Sequence, residues 1–85
     1  MILTIDLSGK ELKLVLKKNK KILDSFEWEG LYQLSETLLL NIDRFLKKNQ
    51  VKLDEIKKIK VIESKDSIVS NRIAKAIALG LKIND

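Results

Sequence analysis

Ile2-Leu3-Thr4-Ile5-Asp6-Leu7, then the turn Ser8-Gly9-Lys10, then Leu12-Lys13-Leu14-Val15-Leu16-Lys17 is the stretch that decides the fold. The first run is β-rich and mostly apolar, which reads as a buried strand over 2–7. The second alternates Leu12, Leu14 and Leu16 with Lys13, Val15 and Lys17, the pattern of a half-buried strand. Asn19-Lys20 stands where a two-residue hairpin turn belongs; Asn tolerates positive φ, whereas Lys is costlier there than Gly. Ile22, Asp24, Phe26 and Trp28 alternate with Leu23, Ser25 and Glu27 as a third strand, which makes an antiparallel meander.

After Gly30 the period changes. Leu31, Leu34, Leu38, Ile42 and Phe45 recur every three or four residues and predict a helix over 31–48, with Lys47 and Lys48 at its C-terminal end and Asn49 as its stop. Leu53-Asp54-Glu55-Ile56 reads as one short turn, 59–62 as a fourth strand and 67–81 as a second helix. The class is therefore α/β with the order βββαβα. The first and fourth strands are joined through a helix, so they should pair in parallel by a right-handed crossover. A mixed four-stranded sheet of order 3-2-1-4 follows, with both helices on one face and the other face open.

The 85 residues make one domain with a thin stability margin. The chain has neither Cys nor His, which removes disulfides, thiolate chemistry, the commonest general base and the commonest metal ligand. Neither a membrane-length apolar run nor a signal-peptide pattern is expected, so cytoplasm is the expected location. The net charge is +5, from 15 Lys and only 2 Arg against 12 acidic residues. Arg is the usual reader of phosphates and base edges, so the lysine excess reads first as surface solvation.

Both helices carry more apolar surface than one sheet needs. Beside the row that faces the sheet, Ser35, Leu39, Ile42 and Leu46 form a second row on the first helix, with Leu40 further round. On the second helix Ala74 and Ala78, like Ala76 and Gly80, are four apart, a spacing that lets another helix approach closely. The expected partner face comprises Ser35, Leu38, Leu39, Ile42, Leu46, Ser70, Asn71, Ala74 and Ala78. Packing of the two helices only on each other and the sheet is the competing expectation.

Three segments carry a resemblance. Ile2-Leu3-Thr4-Ile5-Asp6-Leu7-Ser8 resembles the opening strand of the TsaB (YeaZ) family, ILxIDTS. Leu34-Ser35-Glu36-Thr37-Leu38-Leu39 resembles its first-helix signature, HSExLLP, with Leu34 in place of His and Leu40 in place of Pro. Ser67-Ile68-Val69-Ser70-Asn71-Arg72-Ile73-Ala74 falls where that family has SFTGLRIG, and shares Ser67, Arg72 and Ile73 with it. The resemblance implies an actin-like ATPase fold and a non-catalytic part in N6-threonylcarbamoyladenosine modification of tRNA. The implied partner is a TsaD-like catalytic subunit, met through the helices at 31–48 and 67–81.

Family members are longer and carry a second lobe. Residues 1–85 are expected to correspond to the first lobe alone, without an interlobe cleft. The family's Gly-Pro-Gly loop is replaced by Ser64-Lys65-Asp66. Asp66 would oppose a bound phosphate and suits a helix cap, with Ser64 or Ser67. Asp6 stands where actin-like ATPases keep a metal-associated carboxylate; a lone Asp at a strand end more often caps a turn. Asp24 with Glu27, and Asp54 with Glu55, read as solvated surface, and Trp28 with Tyr32 as edge packing. No enzyme activity, cofactor or metal is therefore expected. Two other readings stay open: a homodimer built on the same helix face without a tRNA role, and a basic nucleic-acid module led by Lys17-Lys18-Asn19-Lys20-Lys21. Lys47, Lys48, Lys57, Lys58 and Lys60 are candidates for a weak tRNA contact.

Overall fold

The computed structural model describes residues 1–29 and 33–81. Its elements are β1 (Ile2–Asp6), β2 (Leu12–Lys18), β3 (Lys21–Trp28), α1 (Leu34–Lys48), a short 3-10 turn (Leu53–Glu55), β4 (Lys58–Ile62) and α2 (Ile68–Leu81). The sheet order is β3-β2-β1-β4. β1 is antiparallel to β2 and parallel to β4, as the helical crossover requires. The expected start of the first helix at Leu31 lies outside the described residues, as do Gly30 and Tyr32.

Register explains which face is buried. Leu3 stands opposite Leu16 and Ile59, and Ile5 opposite Leu14 and Val61. These side chains share one face and enter the core with Leu34, Leu38, Ile42 and Phe45 of α1 and Ala74 and Ala78 of α2. Val51 and Ile56 close it from the α1–β4 connection. The opposite face carries Ile2, Thr4, Lys13, Val15, Lys17, Lys58, Lys60 and Ile62, and among the described residues no helix packs on it.

The third strand departs from simple alternation. Leu16 pairs with Asp24 but Lys17 with Ile22, so Leu23 is an extra residue on β3. A one-residue irregularity moves every later side chain to the other face. Ile22 thus joins Lys17 on the open face, while Asp24 stays on the helix face.

The turn at Asn19 and Lys20 has φ of 52° and 69°, the positive pair that a two-residue hairpin of matching twist requires. α1 ends in a Schellman arrangement: Gln50 N–H donates to Lys47 O at 3.1 Å and Val51 N–H to Leu46 O at 2.9 Å. Gln50 takes the left-handed position at φ 57°. Leu46 and Val51 meet in the core, which is the apolar contact that accompanies this stop. α2 is capped by Ser67, whose Oγ accepts from Ser70 N–H at 3.2 Å. Among the described residues no helix is long and apolar enough to cross a membrane.

Candidate protein-docking face

α1 and α2 lie side by side over the sheet, and α2 also packs along β4. The structure divides the nine expected partner-face residues sharply. Leu38, Ile42, Leu46, Ala74 and Ala78 are inside the molecule. The C-terminal half of the row expected to be spare on α1, Ile42 and Leu46, joins the core with Val51 and with Ala74 and Ala78 of α2. The small Ala side chains let α2 sink against its own core instead of receiving a foreign helix. Ser70 and Asn71 are buried and bonded internally. Ser67 Oγ–H donates to Ser70 Oγ at 2.8 Å. Asn71 clamps the loop before α2: Ser64 N–H donates to its Oδ1 at 2.7 Å, and its Nδ2 donates to Ser64 O at 2.9 Å. Only Ser35 and Leu39 face solvent, Leu39 with 50% of its surface exposed.

The exposed apolar surface nevertheless exists, with a different membership. On α1 it consists of Leu39 and Leu40, both about half exposed. On α2 it consists of Ile68, Val69 and Leu79, at 70%, 66% and 72% exposure, and the small Ala76 and Gly80 are exposed on the same helix. None of Ile68, Val69 and Leu79 is among the residues expected from the sequence to form the partner face. Their signal was that the apolar residues of α2 go all the way round, beyond the roughly 100° stripe that a surface helix buries.

Leu39 also begins a groove of about 550 Å³. Its floor is Ile42, Leu46 and Val51; Leu53 and Leu81 form its walls, and Asp43, Lys47 and Lys52 its rim. Asp43 and Lys47 are paired at 3.0 Å, one turn apart. An apolar floor with a charged rim is a make-up found at protein contacts.

Two carboxylates, Asp6 and Asp24, tie local structure together. Asp6 Oδ1 accepts from Ser8 N–H at 2.9 Å and Ser8 Oγ–H at 2.6 Å, which fixes the turn after β1. Asp24 ties β3 to the end of α1: it accepts from Asn49 Nδ2 at 3.1 Å and Ser25 N–H at 2.8 Å, with Lys48 Nζ at 3.5 Å. The Asn49 bond, then that of Ser25, holds its carboxyl below the ordinary carboxylate range. Glu11 moves the other way, raised first by a shared hydrogen bond with Glu27. Asp66 N–H donates to Ser64 Oγ, so the loop in front of α2 is tied to itself and to Asn71. Trp28 stacks on Phe26 with centroids 5.7 Å apart and donates its indole N–H to Thr37 Oγ1, which makes it edge packing. Among the described residues no group of three His, Cys, Asp or Glu side chains is gathered as a metal site would need.

The fold is similar to that of YeaZ from Pseudomonas aeruginosa, with a TM-score of 0.83, 20% identity and 98% of this chain covered. A structure described as an uncharacterized protein with similarity to peptidase YeaZ from Pseudomonas aeruginosa matches with the same values. At that identity the likeness is one of fold. This chain spans 38% of the length of either protein. No protein-family model matches the sequence, and no curated protein matches it.

Proposed function

We propose that this chain is a non-catalytic docking scaffold that resembles the first lobe of TsaB. Its partner would be a TsaD-like catalytic subunit in threonylcarbamoyladenosine modification of tRNA. The observation that carries the reading is the apolar surface left on the outer side of α1 and α2: Leu39, Val69 and Leu79 face water in a chain of 85 residues. Covering several such side chains contributes about 1.5–3 kcal/mol each before the cost of association. The YeaZ-like fold supports the identity of the partner. A sequence without His or Cys supports a role in positioning rather than in chemistry.

Co-expression tests it. The tagged chain should retain a TsaD-like subunit through purification, and Leu39→Asp should abolish retention while leaving the melting temperature within a few degrees. Retention unchanged by Leu39→Asp and by Val69→Asp would remove this face from the account. A two-fold pair of this chain through the same helices is the other assembly the face allows. A mass of two copies that persists when the subunit is present would favour that assembly.

A further inference from the structure

The strongest feature left unused lies at the opposite end of the sheet from Asp6. There the start of β1, the tip of the β2–β3 hairpin and the start of β4 meet around a groove of about 610 Å³. Its lining is Met1, Ile2, Lys17, Asn19, Lys20, Lys57 and Lys58. It holds four lysines and the chain's amino terminus, and no acidic residue. Register places Lys17 and Lys58 on either side of Ile2, so both flank the same strand position. Met1 is fixed there: its ammonium donates to Glu55 O at 3.2 Å, and its carbonyl accepts from Lys57 N–H at 2.9 Å. Among the described residues, ion pairs occupy Lys13, Lys47, Lys48 and Lys75, and none involves a lysine of this groove.

Backbone strain marks the same spot. Lys20 sits at φ 69°, a left-handed position that Gly adopts freely and a residue with a β-carbon does not. The hairpin thus carries a lysine where its own stability favours glycine. At the far end of the sheet a separate groove mixes the signs: Asp6, Glu11 and Glu27 line it with Lys10 and Lys13, and Lys13 is paired with Glu27.

We infer that this lysine groove binds the phosphodiester backbone of a nucleic-acid duplex, without reading its bases. Lysine is a compact point charge suited to phosphates, whereas base recognition favours Arg, Asn and Gln. No aromatic lines the groove, which disfavours single strands held by stacking. Convergent positive charge with no neutralising partner is the electrostatic footprint of such binding. The inference rests on the proposed function only for the natural ligand, a tRNA stem; the groove itself needs no catalytic subunit.

Fluorescence anisotropy of the isolated chain with labelled RNA and DNA duplexes tests it. Either duplex should bind at about 0.05 M salt, with a log–log salt slope between about −3 and −5 for four or five phosphates. Lys17→Gln with Lys58→Gln should weaken binding about tenfold or more and flatten the slope by about 2. Lys10→Gln with Lys65→Gln removes the same net charge elsewhere and should leave affinity within about twofold, since exposed charges more than a Debye length from the bound phosphates are largely screened. Equal loss in both double variants would overturn the site, since net charge alone would then explain the attraction. So would absence of duplex binding at low salt, or tighter binding to anionic lipid vesicles than to either duplex. Failure of this assay with subunit retention intact would sink the groove and not the docking face; the reverse outcome would do the opposite.

Discussion

Asp24 and Glu11 are two exposed-edge carboxylates that the fold pushes in opposite directions, and each gives a pH prediction. Asp24 is stabilised in its charged form by Asn49 and the Ser25 amide. Its folded pKa is lowered, so its contribution is present above about pH 4 and is lost as pH falls through the folded value. The melting temperature of the wild type should therefore fall more steeply below pH 4 than that of Asn49→Ala, and the gap between the two curves should narrow in acid without closing, since Asn49 also donates to Phe45 O at 2.9 Å. Glu11 is raised by Glu27, so its favourable contribution exists below its ordinary pKa and disappears as pH rises through the raised value. Glu11→Gln should accordingly raise the melting temperature at pH 7 and change it little at pH 4. Parallel curves for either pair would contradict the assigned contacts. Neither behaviour was legible in the sequence: Asp24 and Glu27 read as plain surface, because Asn49 and Glu11 are brought to them only by tertiary structure.

Element boundaries and order were legible because the periodicities are strong and because turn residues mark the joints. Ser8-Gly9, Asn19-Lys20 and Asn49 all fall at the observed breaks. The bulge at Leu23 was not legible. Leu23 is apolar like Ile22, so alternation by composition runs through it without a mark, while the pairing at Lys17 steps by one. The helix face was half legible. Counting apolar residues found the excess, but not which of them the core would take. Ala74 and Ala78 read equally well as an external contact or as the reason α2 settles deeply. Two substitutions probe these elements. Gln50→Gly should stabilise the chain by about 0.5–1 kcal/mol, since it removes the left-handed strain at the end of α1 while adding unfolded-state freedom. Ala78→Leu should destabilise it by about 1–3 kcal/mol, as overpacking does, when measured by urea denaturation. Lys20→Gly couples stability to binding. It should raise the denaturation midpoint and at the same time weaken duplex binding, and a midpoint that falls would mean the hairpin turn is not strained.

The whole molecule is a sheet with one covered face, one bare face and a lysine-lined groove at one end. The covered face supplies the core, and its outer helix surface supplies the proposed contact. On the bare face Thr4 and Val15 are buried at the centre between lysines of neighbouring strands, whose aliphatic stems can shield them while the ammonium groups stay in water. The fold was readable from the sequence as a TsaB-like order of elements, and the similarity to YeaZ stands at the level of architecture. Which helix side chains stay exposed was not readable from the sequence, because burial in a small domain depends on which helix sinks and which rides above it.

The central claim is that the outer surface of the helix pair, rather than the bare sheet face, meets a second protein. Hydrogen–deuterium exchange of the chain alone and with a TsaD-like subunit tests it most directly. Added protection should concentrate in peptides spanning 35–43 and 68–81, with the strands at 2–6 and 12–18 unchanged. Protection confined to those strands, or none at all at saturating subunit, would contradict the docking account.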